Sequence, residues 1–108
     1  MSRTAMFGVI GGYGSTGRVV VSEFQKGCQG EILIGGRDLV KGNALAAEFG
    51  SRVSAERVDV FDAGSLDEFC NRCSVIVNCA GPVTVLQDRV AQAAFRMHCH
   101  YLDVICEK

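Results

Sequence analysis

Residues 11–17 read Gly11-Gly12-Tyr13-Gly14-Ser15-Thr16-Gly17. They follow a short apolar run, Met6 to Ile10, and lead into a helical pattern that begins at Arg18. The glycines have the spacing G-x-x-G-x-x-G, and reading from Gly12 gives G-x-G-x-x-G, so both spellings of a dinucleotide-binding fingerprint are satisfied. A strand, a glycine turn and a helix in this order predict a phosphate-binding loop.

The first spelling fits the local sequence better. Gly11 comes directly after Val9-Ile10, where a tight turn must leave the strand, while Gly14 lets the backbone approach a pyrophosphate and Gly17 lets the helix pack on the sheet. The amides of the loop and the positive end of the helix then face an anion. We therefore predict that residues 11–17 all contact the cofactor; the alternative is a strained turn that binds nothing.

The 108 residues have the size of one domain. Acidic and basic residues are interspersed with a net charge of -1, which argues against nucleic acid or a membrane surface as a partner and favours a small molecule. No secretory signal or long apolar span is recognisable, so we expect a cytoplasmic location and expect the six cysteines to be reduced thiols. The sequence leaves the oligomeric state open, and a homodimer is compatible with it.

Strand and helix patterns alternate along the chain. Strands are predicted at Met6 to Ile10, Glu31 to Ile34, Val53 to Val60 (most convincingly 57–60), Ser74 to Ala80 and about His100 to Ile105. Helices are predicted from Arg18 to a left-handed stop at Gly27, from a cap at Asp38 to a stop at Gly50, from a capping box at Ser65, and from a second box at Thr84.

This alternation predicts an α/β fold, a doubly wound parallel sheet of about five strands in the order 3-2-1-4-5. Ligands bind beyond the carboxyl ends of the strands in such sheets, at the point where the strand order reverses. That point lies between strands one and four, so the glycine loop and the segment Asn78 to Pro82 should face each other across a crevice.

Arg37 is the residue on which the choice of cofactor rests. The second strand ends in Gly35-Gly36-Arg37, where a domain that prefers NAD places an acid on the ribose 2'-hydroxyl. Small residues leave room for a phosphate and a guanidinium offers planar donors and permanent charge, so NADP is favoured and NAD is the second choice. The alternative is a solvated arginine that Asp38 neutralises.

Two further segments are assigned to the cofactor because of their positions at the ends of predicted strands. Asp59 and Val60 are predicted on the adenine side of the cofactor, where a carboxylate accepts a hydrogen bond from the adenine amino group. Asp62 competes with Asp59, and both are explained equally well as turn residues before Gly64. At the end of the fourth strand we predict contacts to the nicotinamide ribose from Cys79, Ala80, Gly81 and Pro82; a purely structural turn is the alternative there.

Cys70 and Cys73 form a C-x-x-C pair, and His98-Cys99-His100 could supply the other half of a zinc site. The helical spacing argues against a metal, because Leu66, Phe69 and both cysteines fall on one apolar stripe. We predict no metal site. His98 and His100 are interpreted as a residue at a helix carboxyl end and a strand residue.

Four segments together resemble the NADP-binding domain of saccharopine dehydrogenase-like oxidoreductases, including the enoyl-reductase-like branch. They are residues 9–18, 35–37, 78–82 and 101–104, and the resemblance covers nearly the whole chain. The run 59–66 is also similar to the adenine-side segment of short-chain dehydrogenases, which supports Asp59 over Asp62. One departure is Cys106 before Glu107, where similar chains often have glycine.

The resemblance implies that the substrate is bound by a second domain, which these 108 residues lack, so it supplies no catalytic residue. The Tyr-x-x-x-Lys pair of short-chain dehydrogenases is also missing, since Ile105 stands four residues after Tyr101. We therefore expect a domain that binds the cofactor for hydride transfer but is inactive alone. Two alternatives stay open: a non-enzymatic module that senses nucleotide or redox state, and a domain that binds S-adenosylmethionine, which Arg37 disfavours.

Overall fold

The computed structural model describes residues 6–11, 15–27, 30–79 and 84–103. Strands and helices alternate in the order β1 (Met6–Ile10), α1 (Ser15–Gly27), β2 (Glu31–Gly36), α2 (Leu39–Phe49), β3 (Val53–Arg57), α3 (Ala63–Asn71), β4 (Val75–Asn78), α4 (Thr84–Arg96) and β5 (His100–Asp103). The strands form one parallel sheet in the order β3-β2-β1-β4-β5. The predicted fold class and strand order are confirmed.

The central strand, β1, is hydrogen-bonded on both sides and covered on both faces. Val9 pairs with Ile34 of β2 and with Val77 of β4, and all three side chains are buried. Continuous apolar runs are needed here because helices pack on both faces of a parallel sheet. In the described residues no helix is long and apolar enough to cross a membrane.

Two apolar clusters hold the helices on the sheet. The α1/α2 cluster occupies one face and contains Val9, Val21, Ile32, Ile34, Leu45, Ala46 and Val53. The α3/α4 cluster occupies the other face and includes Ile10, Leu33, Val58, Leu66, Phe69, Cys70, Cys73, Ile76, Val90, Ala93, Ala94 and Cys99. The predicted apolar stripe of the third helix is therefore confirmed as core.

Phe69 packs α3 on the backbone of the sheet. Its ring is fully buried against the backbone of β1 and β2 at Gly8 and Gly35. A Cβ atom at Gly8 would lie 2.8 Å from this ring, and one at Gly35 would lie 2.7 Å from it. These two positions are glycine because the aromatic ring occupies the space of a side chain.

Several predicted element boundaries were wrong. The first helix begins at Ser15 rather than Arg18, and Gly27 is its last residue without the left-handed backbone expected of a stop. The third strand ends at Arg57, so the stretch 57–60 that looked most strand-like lies mainly outside it. The fourth helix includes Thr84, which was expected to cap it.

The third helix also begins earlier than predicted, because Asp62 rather than Ser65 is its N-cap. The Asp62 carboxylate accepts hydrogen bonds from the amides of Gly64 and Ser65, at 3.0 and 3.4 Å. Aspartate is a strong N-cap residue, and it stands ahead of the serine in the chain. By contrast, the predicted cap at Asp38 and stop at Gly50, with a φ of 102°, are both confirmed.

The role of His98 is to end α4. Its φ of 61° is left-handed, its amide donates to the carbonyl of Phe95, and the amide of Cys99 donates to that of Ala94. These two bonds are those of a Schellman motif, in which the left-handed position usually holds glycine. His98 thus ends the helix as expected of its position, and His100 is a strand residue as predicted.

Replacing Gly35 with alanine tests the packing of Phe69. The added methyl group would also lie 2.9 Å from Val58, and overpacking of this kind lowers the free energy of unfolding by about 1–3 kcal/mol. Urea denaturation measures the loss, which should shrink in a Phe69→Leu background. Gly27→Ala is the control, because nothing lies within 4 Å of its added Cβ. Wild-type stability of Gly35→Ala would contradict this packing.

Candidate functional site

The glycine loop leaves β1 at the carboxyl edge of the sheet. Gly11 has a φ of 81°, a conformation that side chains with a Cβ rarely adopt. Its amide donates a 3.0 Å hydrogen bond to the carbonyl of Gly35, at the end of β2. The predicted tight turn at Gly11 is therefore present, and it is fastened to the neighbouring strand.

The first turn of α1 lies directly after this loop. Ser15 and Thr16 form its first two residues, and Gly17 is buried. The first amides of a helix have no partner within the helix, and the helix dipole adds partial positive charge there. The predicted contacts at Gly12, Tyr13 and Gly14 lie outside the described residues.

The ends of β1 and β4 meet at the point where the strand order reverses. Ile10 pairs with Asn78 in the sheet register, and the amide of Cys79 donates a 2.8 Å hydrogen bond to the carbonyl of Ile10. Cys79 is partly buried against the α1/α2 cluster. The structure thus brings Gly11 and Cys79 to one place; the predicted contacts at Ala80, Gly81 and Pro82 lie outside the described residues.

Two polar side chains at this edge, Asn78 and Tyr101, were not predicted to contact the cofactor. Asn78 is only 1% exposed, and its amide nitrogen donates a 3.2 Å hydrogen bond to the hydroxyl of Tyr101 on β5. A buried amide needs such partners to offset its loss of water. An asparagine that ends an apolar strand was the signal that could have identified the pair.

Arg37 follows β2 directly and is exposed. The neighbouring Asp38 caps α2, and its carboxylate accepts a 3.1 Å hydrogen bond from the amide of Lys41. In the described part of the chain, no ion pair forms between Arg37 and Asp38. The guanidinium therefore lies at the carboxyl edge of the sheet with its donors open to a ligand.

Asp59 and Val60 form a turn two residues beyond β3, rather than at the end of the strand. One carboxylate oxygen of Asp59 accepts from the amide of Phe61 at 3.0 Å, and its own amide donates to the hydroxyl of Ser65 at 3.1 Å. Val60 is partly buried against the α3/α4 cluster. Turn formation is thus the observed local role of Asp59, as N-capping is of Asp62.

The cysteines of the C-x-x-C pair are buried core thiols. The Cys99 thiol donates to the carbonyls of Cys70 and Cys73, at 2.9 and 3.1 Å. Burial raises the pKa of Cys70 to about 12 and the pKa of Cys73 to about 12, so both are protonated at neutral pH. Among the described residues, no three His, Cys, Asp or Glu side chains are grouped to hold a metal ion.

Alkylation by iodoacetamide tests this description of the thiols. Because only the thiolate reacts, Cys70 and Cys73 should label at a small fraction of the rate of a free cysteine at pH 8, and they should still label slowly at pH 10. Mass spectrometry of peptides gives the rate at each site. The same reaction in denaturant is the control and should be fast. Rapid native labelling of either residue would show that the pair is not core.

The sequence matches a family of known proteins. Residues 7–108 match the family model described as the saccharopine dehydrogenase NADP-binding domain. A comparison of the sequence with curated proteins gave no significant match.

Solved structures share the fold at low sequence identity. The apo saccharopine dehydrogenase (L-Glu forming) of Saccharomyces cerevisiae is 20% identical, with a TM-score of 0.80 over 92% of this chain and 21% of its own. Serine dehydrogenase from Escherichia coli is 16% identical, with a TM-score of 0.74 over 91% of this chain and 60% of its own. A short-chain dehydrogenase/reductase from Veillonella parvula, in complex with NADP, is 14% identical, with a TM-score of 0.76 over 94% and 47%. The chain thus spans between about a fifth and three fifths of these proteins.

Proposed function

Because the chain belongs to the saccharopine dehydrogenase NADP-binding domain family, we propose that it binds NADP at the carboxyl edge of its sheet and holds the cofactor for an oxidoreductase. The observation that carries this proposal is the junction of β1 and β4, where Gly11 and Cys79 directly follow the paired residues Ile10 and Asn78. This is the position at which doubly wound sheets bind dinucleotides.

The pyrophosphate is assigned to the glycine loop. Its negative charge would face backbone amides of the loop after Gly11 and of the first turn of α1. The positive φ of Gly11 supports this assignment, since the turn directs the chain from the strand into the helix without a side chain in the way.

The adenosine half is assigned to the ends of β2 and β3. Arg37 would hold the 2'-phosphate, because it is exposed and carries a permanent charge. Asp59 would accept a hydrogen bond from the adenine amino group, since the contacts of its turn involve only one carboxylate oxygen. The neighbouring Val60 would supply an apolar contact to the ring.

The nicotinamide half is assigned to the end of β4. Cys79, Ala80, Gly81 and Pro82 would line the nicotinamide ribose, and the cofactor itself supplies or accepts the hydride.

We propose that a second domain holds the substrate, so that the 108 residues bind NADP without turnover. A cytoplasmic location is part of the proposal, and the free buried thiols are compatible with it.

The affinities for NADPH and NADH test the assignment of Arg37. A charge-assisted hydrogen bond to the 2'-phosphate contributes about 1.5–3 kcal/mol, which corresponds to a ten- to hundredfold preference for NADPH. Arg37→Ala should remove most of that preference by weakening NADPH alone. Fluorescence titration of both cofactors into both proteins gives the four constants.

Lys26→Ala is the matched control for this comparison, because it removes one exposed positive charge from the last turn of α1, which runs away from the carboxyl edge. It should leave the preference for NADPH unchanged. Equal affinity of the wild type for the two cofactors would mean that Arg37 is a solvated arginine and that the choice of NADP is wrong.

Gly14→Val tests the pyrophosphate assignment. A branched side chain at this position of the fingerprint should occupy the space of the pyrophosphate and weaken NADPH and NADH together, by at least about tenfold, while the protein remains folded. Circular dichroism checks the fold and calorimetry measures binding. If Gly14→Val bound both cofactors like the wild type, the loop would be only a structural turn.

A further inference from the structure

Arg57 is a second exposed arginine at the carboxyl edge of the sheet, and the sequence patterns did not single it out. It is the last residue of β3 and lies directly opposite Gly36, the last residue of β2. The amide of the next residue, Val58, donates a 2.8 Å hydrogen bond to the carbonyl of Gly36. The pairing of the two strands therefore places Arg57 next to the residue that precedes Arg37.

Strand alternation gives the direction of the Arg57 side chain. Val53 belongs to the α1/α2 cluster, and side chains two and four residues further along a strand point to the same face. Ile34 belongs to that cluster as well, so Gly36 faces the same side as Arg57. Because Gly36 has no side chain, the residue paired with Arg57 places none beside it at the end of β2.

The nearby carboxylates are engaged elsewhere. Asp38 caps α2, Glu56 forms an ion pair with Arg72, and Asp59 accepts from the amide of Phe61. Across the described ranges, neither Arg37 nor Arg57 forms an ion pair. Two permanently charged side chains outside these ion pairs thus lie at the ends of neighbouring strands, which is an arrangement suited to a dianion.

We propose that Arg57 is a second ligand of the cofactor 2'-phosphate and determines the preference for NADP together with Arg37. This inference rests on the proposed function. Neighbouring strands are about 4.8 Å apart, which is within the length of an arginine side chain, so the guanidinium of Arg57 can reach a phosphate bound at the end of β2. A phosphate monoester has three free oxygens, enough to accept from both arginines.

The test compares ligands that differ only in the 2'-phosphate. NADPH and NADH form one pair, and 2',5'-ADP and 5'-AMP form a second pair that lacks the nicotinamide half. Arg57→Ala should weaken NADPH and 2',5'-ADP about tenfold while NADH and 5'-AMP bind as before. Arg57→Lys keeps the charge but loses the planar donors, so its affinity for NADPH should lie between those of the wild type and Arg57→Ala.

Two controls distinguish a direct contact between Arg57 and the 2'-phosphate from the general attraction of the phosphate to a positively charged protein. Lys26→Ala removes the same charge far from this edge, so any loss of NADPH affinity that it shows measures the long-range effect of net charge. The melting temperature of each variant checks the fold, which should survive because Arg57 is exposed. The variant with both arginines replaced should bind NADPH and NADH equally.

The outcomes distinguish this inference from the proposed function. If the wild type and Arg57→Ala prefer NADPH equally while Arg37→Ala loses the preference, Arg57 is not a ligand and the proposed function stands. The inference also fails if Arg57→Ala weakens all four ligands alike, or if Lys26→Ala has the same effect as Arg57→Ala. If the wild type shows no preference for NADPH, the proposed choice of cofactor and the inference fail together.

Discussion

The backbone bonds at the end of β1 hold together the edge of the sheet at which the proposed cofactor site lies. Gly11 turns out of the strand with a φ of 81°, and its amide is bonded to Gly35 of β2. On the other side of the strand, the carbonyl of Ile10 accepts from the amide of Cys79. The chain therefore enters the glycine loop between the ends of two neighbouring strands, and the first turn of α1 must lie beside the crevice that they form. A residue with a Cβ at position 11 would have to adopt the same strained turn.

The packing of the core also fixes the turn at Asp59 and Val60, which is proposed to lie on the adenine side of the cofactor. Phe69 lies on the backbone of Gly8 and Gly35 and thereby fixes α3 against the sheet. The first turn of α3 contains Ser65, whose hydroxyl accepts from the amide of Asp59. The turn that carries Asp59 and Val60 is thus bonded to a helix that Leu66, Phe69 and Cys70 hold in the core. A change in this core can therefore alter the turn that we assign to the adenine side of the proposed site.

The parts of the fold that follow from long-range rules could be predicted from the sequence. Alternating strands and helices, joined by right-handed crossovers, allow few strand orders, and 3-2-1-4-5 is the one observed. The spacing of Cys70 and Cys73 with Phe69 on one helical face correctly indicated core thiols. These patterns depend on the burial of many apolar residues at once. They are therefore little affected when single side chains compete for a backbone hydrogen bond.

Local boundaries were harder to predict, because side chains compete for the same backbone groups. The run 57–60 contains two valines and reads as a strand, but hydrogen bonds made by Asp59 and Asp62 turn the chain and begin α3 there. Arg57 was missed for a different reason: its neighbour across the sheet, Gly36, is known only once the register is known. For the site itself, the turn at Gly11 and the meeting of Gly11 with Cys79 agree with the expected crevice. The contacts between the predicted site residues and the cofactor remain predictions. No observation favours a sensor module over a cofactor-holding domain.

In the proposed function, NADP lies across the carboxyl edge of the sheet, from the end of β2 to the end of β4. A titration of the isotopically labelled chain with NADP, followed by the amide resonances in a nitrogen-proton correlation spectrum, tests this position. The largest shift changes are expected at the amides of Gly11, Gly17, Arg37, Asp59 and Cys79. Lys26, in the last turn of α1, and Arg52, directly before β3, lie at the opposite edge and should change little. Changes concentrated at that opposite edge, or an unchanged spectrum at saturating NADP, would contradict this position of NADP.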